Sequence, residues 1–93
     1  MSGEGVYATR MRHKLTEAFA PESLEIEDQS ESHRGHGGYR EGGETHFHLS
    51  MRAAAFNGLG RVARQRLVMK ALAQELDERV HALSMTLSGT DEP

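Results

Sequence analysis

The chain has no cysteine and no tryptophan among its 93 residues. Without thiols it can build neither a disulfide framework nor a thiolate metal site, so any metal ligands of its own have to be His, Asp or Glu. Aromatic residues make up 5% of the chain and apolar residues 37%, below the average for globular proteins. The core is therefore small, one sheet face covered by two or three helices. No apolar run approaches about 18 residues, which excludes a membrane-spanning helix. The N-terminus lacks a hydrophobic signal region. Its basic amphipathic run imitates a mitochondrial presequence, but Glu4 and Glu17 interrupt it and its apolar face is needed for the core. The expectation is a soluble cytoplasmic protein, one domain over residues 1–93, free as a monomer or a weak dimer. A net charge of −3 and a pI near 6.0 give no general attraction to nucleic acid or anionic lipid.

What is present is periodicity. Residues 6–19 carry Tyr7, Met11, Leu15, Ala18 and Phe19 on one helical side, with Arg10, Arg12, Lys14 and Glu17 mostly off it, and Pro21 ends the run. Residues 23–28 (SLEIED) alternate as a strand with Leu24 and Ile26 inward, and 45–51 (THFHLSM) alternate with Phe47, Leu49 and Met51 inward. Residues 60–79 predict a helix along Val68, Leu72 and Leu76, flanked by Val62, Met69 and Ala73. Leu67 falls off that stripe, so the helix either touches something on a second side or is broken into two pieces. From Val80 the period becomes two, with His81, Leu83, Met85 and Leu87 on one side. Each strand has one apolar and one polar face, the mark of a sheet packed on one side only. Residues 89–93 form a short polar tail expected to be flexible.

The fold class is thus α/β (α+β), in the order helix, strand, strand, helix, strand, with a core over about 6–88. Between the first two strands runs a long loop, about 29–44, whose sequence QSESHRGHGGYREGGE is rich in Gly, His and charge. Most hairpin loops run about 2–5 residues. The second strand, the helix and the third strand form a crossover unit, which in one sheet is almost always parallel. Parallel strands begin at the same end, so His81 should lie where the loop enters the second strand, and His33, His36 and His81 can meet. On the residues alone two readings stand. Either converging imidazoles bind a metal, or His33 and His36 are solvated and a half-buried His81 caps the core. His33-x-x-His36 matches no established metal motif. His46 and His48 alternate on the open sheet face and read as surface residues, as does His13.

No nucleophile elbow, phosphate loop or Ser/His/Asp pattern is present, and Gly58-Leu59-Gly60 is too short for a dinucleotide fingerprint. The chain does not read as an enzyme. Arg61, Arg64, Arg66 and Lys70 gather at the start of the second helical region, in reach of phosphates, yet they spread around the helix and Glu75, Asp77 and Glu78 are close behind.

Several motifs in order resemble the BolA family over roughly Val6 to Leu87. They are Phe56-x-Gly58, Arg64-Gln65-Arg66-Leu67-Val68, Glu75-Leu76, Val80-His81-Ala82-Leu83-Ser84, and Gly42-Gly43-Glu44-Thr45-His46-Phe47 leading into the second strand. The resemblance implies a small domain similar to a type II KH fold, partnership with a monothiol glutaredoxin, and a role in iron–sulfur cluster trafficking or iron regulation. In the family a bridging [2Fe–2S] cluster is shared between the two proteins. The glutaredoxin side supplies its cysteine and a glutathione thiol. The BolA-like side supplies the histidine at the position of His81 and a His or Cys from the loop. Counted back from Glu44-Thr45-His46-Phe47, the loop ligand is His36, with His33 as its understudy. A chain without cysteine supplies only half of such a cluster, so binding requires the partner. The family also contains transcriptional regulators, which makes DNA binding through Arg61, Arg64, Arg66 and Lys70 the second reading. Here the chain departs from true KH domains, whose Gly-x-x-Gly loop clamps the backbone, since it offers only Gly58-Leu59-Gly60 and Arg61. A third reading is an adaptor that docks a glutaredoxin with no metal role.

Overall fold

The computed structural model describes residues 5–30 and 43–93. Helix α1 (Val6–Phe19) leads to strand β1 (Ser23–Asp28), and β2 (His46–Arg52) comes after the loop. A 3-10 turn (Ala54–Phe56), helices α2 (Arg61–Ala71) and α3 (Ala73–Glu78), and strand β3 (Ala82–Ser88) complete the order. The sheet runs β1-β2-β3. β1 pairs antiparallel with β2, Ser23 opposite Arg52 and Asp28 opposite Phe47. β2 and β3 are parallel, His46 beside Ala82 and Arg52 beside Ser88. No helix among the described residues is long and apolar enough to cross a membrane.

Alternation decides the packing. Phe47, Leu49 and Met51 of the central strand are buried beneath Ala8, Met11 and Leu15 of α1 and Val68 and Leu72 of the second helical region, with Ala53, Phe56 and Val80 closing the core. Glu25, Glu27, Ser84 and Thr86 stay exposed on the other face. Phe19 and Phe56 meet with ring centroids 5.3 Å apart and tilted by 39°, a favourable arrangement for aromatic quadrupoles.

The second helical region is broken at Leu72, whose φ of −105° and ψ of 17° leave the helical range. The amide of Leu72 still donates to Val68 O, and that of Leu76 to Leu72 O, both at 3.0 Å, so the chain kinks without losing its ladder. The inward face is offset from the expected stripe, since Glu75 stands seven residues after Val68 and on the same helical side. Val68 and Leu72 are buried as the stripe predicts, but beyond the break Glu75 is wholly buried and Leu76 only partly. Val62 and Met69, expected beside the stripe, are 58% and 48% exposed. Two of the last residues contact the body of the domain: Arg52 Nη2 donates to Thr90 O at 3.0 Å, Asn57 Nδ2 to Thr90 Oγ1 at 3.0 Å, and Arg64 pairs with Glu92.

A buried carboxylate demands compensation. Glu75 Oε2 accepts from Arg10 Nε at 3.0 Å and lies 2.8 Å from Arg10 Nη2 and 2.7 Å from Lys14 Nζ. Its other oxygen has no partner among the described residues. Tyr7 Oη and Arg10 Nη1 both donate to Glu78 Oε1, at 3.0 and 2.9 Å. Helix α1 is thus tied to α3 by charge and hydrogen bonds. Burial pushes the Glu75 carboxyl up, but the Lys14 ammonium, the Glu75 backbone amide and the Arg10 guanidinium outweigh it, and the group lies below its ordinary value.

The far end of the long loop is pinned just as firmly. Gly43 (φ 72°) and Glu44 (φ 59°) are consecutive left-handed residues, a conformation that costs a non-glycine residue about 1 kcal/mol. Glu44 stays there because its side chain caps α1, Oε2 accepting the Ala8 amide at 2.9 Å. A carboxylate at a helix N-terminus also meets the positive end of the helix dipole. Glycine at position 5 leaves room for this cap, since a Cβ there would overlap the Glu44 carboxylate. Arg79 Nε and Nη2 donate to Gly43 O at 3.0 and 2.7 Å, and the Glu44 amide donates to Asp28 Oδ2 at 3.2 Å.

These ties set two expectations for stability. Because the folded value of Glu75 lies below the unfolded 4.5, its contribution is whole above that pH and is lost as pH falls through the folded value. Glu75→Gln should lower stability by about 2 kcal/mol at neutral pH, and in urea titrations its deficit should shrink between pH 5 and pH 3. An undiminished deficit at pH 3 would show that charge is not what matters. Glu44→Ala should cost about 1 kcal/mol by removing the cap, and Glu44→Gly less, because glycine relieves the left-handed strain. Equal costs would show that the backbone conformation is unstrained.

Candidate functional site

The parallel register brings residue 81 to the rim where the chain returns to β2. His81 N and Ala82 N both donate to Thr45 O, at 2.7 and 3.0 Å. Val80 before them is 1% exposed and plugs the core. His81 is therefore forced outward, and its side chain is exposed. This corrects the half-buried, core-capping reading: Val80 takes that place, and β3 begins one residue after His81. Placement beside Thr45 is as the crossover topology requires.

His33 and His36 lie outside the described residues, so the structure does not bring them to His81. What it does bring there is His46. Read from alternation as a surface residue, His46 is 5% exposed, and its ring centroid lies 5.3 Å from that of His81, tilted by 52°. Period-two patterning tells which face a residue takes but not whether that face is covered at one end, and this is why the sequence missed it. His48, two residues on, keeps to the open face, its ring between Ser84 Oγ at 2.7 Å and Thr86 Oγ1 at 3.2 Å.

A polar chain supports the pair. Ser30 Oγ donates to Asp28 Oδ1 at 2.5 Å and accepts the amides of Thr45 and His46 at 2.9 and 3.2 Å. Both its lone pairs are then used. The Thr45 hydroxyl, 3.4 Å from Ser30 Oγ and 2.9 Å from His46 Nδ1, has the imidazole nitrogen as its better acceptor. Ser30 and Thr45 are both buried, and neither was singled out as a site residue in the sequence. A hydroxyl next to a histidine at a loop end is the signal that could have found them.

Chemically the rim offers an exposed imidazole on rigid backbone with a second, hydrogen-bonded imidazole behind it. A groove of about 240 Å³ lined by Gln29, His46, Phe47, Ala82, Leu83 and Ser84 adjoins it. Among the described residues no group of three His, Asp or Glu side chains gathers to hold a metal ion.

The basic residues fare differently from one another. Arg64 is largely buried, donating from Nε to Phe56 O and from Nη1 to Leu87 O, both at 3.2 Å, and pairing with Glu92. Arg61, Arg66 and Lys70 are exposed.

Comparison with known proteins identifies the family. The chloroplastic protein BOLA1 of Arabidopsis thaliana is 45% identical over 80 residues, covering 84% of this chain and 50% of the relative. The chain thus spans about half the length of that relative. A Vibrio cholerae protein named DNA-binding transcriptional regulator BolA is 38% identical over 79 residues, covering 85% of this chain and 71% of that one. Among solved structures, the BolA domain of SufE1 from Arabidopsis thaliana superposes with a TM-score of 0.86 at 36% identity, covering 98% of this chain and 100% of that domain. Residues 15–92, which hold both strands of the rim and the Thr45–His46–His81 arrangement, match the family described as BolA-like protein, and the chain belongs to that family.

Proposed function

We propose that this chain is the partner of a monothiol glutaredoxin and shares a bridging [2Fe–2S] cluster with it, in cluster trafficking or iron regulation. His81 is one ligand, and His36, or His33 in its place, is the other. The observation that supports this is the exposed His81 imidazole, whose backbone is fixed by Thr45 O at the rim next to the returning loop. The donor chemistry fits half a cluster. Imidazole ligates iron well, the chain has no thiolate, and the remaining two positions then belong to thiols of the partner. Histidine ligation on one iron raises the reduction potential relative to four cysteines. Within this reading the protein's task is to present His81 on rigid backbone, the second imidazole coming from His36 or His33.

The test is co-expression with a monothiol glutaredoxin, with visible absorbance and iron content as the readouts. His81→Ala should lose the histidine-ligated spectrum, while His13→Ala and His48→Ala keep it, and His36→Ala set against His33→Ala assigns the loop ligand. An unchanged spectrum in His81→Ala contradicts the assignment. Absence of iron in the wild-type pair after anaerobic reconstitution leaves a metal-free adaptor.

A nucleic-acid-binding regulator with a KH-like fold is the second reading, supported by a groove of about 360 Å³ lined by Arg61, Arg64, Gln65, Met85, Thr86 and Leu87. The name of the Vibrio cholerae relative agrees with it. Against it, Arg64 is already committed to Glu92 and to main-chain carbonyls. Phosphate-driven binding should fall steeply as salt rises; a gel-shift series with no shift even at low salt removes the reading.

A further inference from the structure

We infer that His46 is a positioning residue for His81 and not itself a ligand, and that Thr45 holds the two histidines in register. This rests on the proposed role of His81 and adds to it the part of the fold that orients the imidazole.

Thr45 acts on both rings by different groups. Its carbonyl takes the amides of His81 and Ala82, at 2.7 and 3.0 Å, which fixes where the His81 side chain starts. Its hydroxyl, 2.9 Å from Nδ1, fixes the His46 ring. Thr45 is itself fully buried with its amide on Ser30 Oγ, and Ser30 is anchored to Asp28. The His46 ring, buried and held in this way, stands 5.3 Å centroid to centroid from the exposed His81 ring. An exposed side chain on its own samples several rotamers. A rigid ring on one side removes part of that freedom and leaves less entropy to be lost when a metal is ligated. The supports of ligating histidines act in this way elsewhere, and their removal typically costs about 10- to 100-fold in metal affinity.

The hydrogen bonding argues against His46 as a ligand. Ser30 Oγ has no lone pair left for the Thr45 proton, so that proton goes to Nδ1 of His46 and leaves the ring's own proton on Nε2. In this tautomer neither nitrogen offers a lone pair to a metal.

Three variants separate the possibilities. His46→Phe keeps a ring of similar shape without nitrogen, His46→Ala removes the ring, and Thr45→Val keeps the volume and the carbonyl but releases the ring. In complex with a monothiol glutaredoxin, His46→Phe should keep the wild-type visible spectrum and cluster lifetime. His46→Ala and Thr45→Val should keep histidine ligation but lose the cluster about tenfold faster. Loss of the ligated spectrum in His46→Phe as complete as in His81→Ala would make His46 a ligand and overturn the proposal. Wild-type lifetime in His46→Ala would overturn it from the other side. The free protein gives a readout that needs no cluster. Long-range ¹H–¹⁵N spectra should show His46 protonated on Nε2, and side-chain couplings of His81 should show one dominant rotamer in wild type and averaging in His46→Ala. A His46 protonated on Nδ1, or the same averaging in wild type, refutes the inference even if a cluster forms. If no cluster forms while these signatures hold, the positioning stands and the cluster reading is what fails. Circular dichroism of each variant checks that the fold is kept.

Discussion

One carbonyl, that of Thr45, accepts the amides of both His81 and Ala82, and the arrangement of the rim depends on it. It is the first contact of the parallel β2–β3 ladder, so it sets the register that runs from His46 beside Ala82 to Arg52 beside Ser88. A slip of one residue would exchange the two faces of β3. Leu83, Met85 and Leu87, which pack against the core, would turn to solvent, and Ser84 and Thr86 would be buried. The same contact separates Val80 from His81, sending one into the core and the other to the surface. A structural constraint and the presentation of a reactive group are therefore met by the same hydrogen bonds.

Small domains bury too little apolar surface to rely on it alone. This chain adds polar ties at two places. Glu75 with Arg10 and Lys14 fastens α1 to α3, and Asp28, Ser30, Gly43, Glu44 and Arg79 fasten the loop's return to the sheet and to α1. The second set adjoins Thr45, through the Ser30 hydroxyl that takes its amide. Buried polar networks of this kind rigidify when their members are satisfied, and rigidity is what a presented imidazole needs. Among the buried side-chain polar atoms of the described residues, Glu75 Oε1 alone has no hydrogen-bond partner, and it belongs to the tie between α1 and α3.

Much of this was legible in the residues. Helix α1 and strand β1 lie where periodicity and Pro21 put them, at Val6–Phe19 and Ser23–Asp28. The parallel crossover was implied by strand, helix and strand in sequence. Leu67, off the stripe, left two options, a second contact side or a broken helix; the helix is broken at Leu72, and Leu67 is exposed. Helical spacing puts Glu75, seven residues after Val68, on the same side as Val68 and Leu72, but its charge hid that place from a hydropathy reading. Glu75 is wholly buried and Leu76 only partly, because Arg10 and Lys14, distant along the chain, meet the charge of Glu75 there. Likewise the position of Val80, one residue before His81, moved the core-facing role away from that histidine.

The sequence by itself determined the element order, the one-sided sheet and the end of the sheet at which His81 stands, because these depend on local periodicity and on the handedness of chain crossovers. It also determined, through its lack of cysteine, that any metal ligation by this chain must come from His, Asp or Glu. Tertiary structure alone decided that Glu75 is buried with two cations, that Thr90 and Glu92 meet Arg52, Asn57 and Arg64, and that His46 lies against His81 on a support of hydroxyls. These rest on contacts between residues distant along the chain. Their energies depend on which neighbours arrive, and no local pattern encodes that.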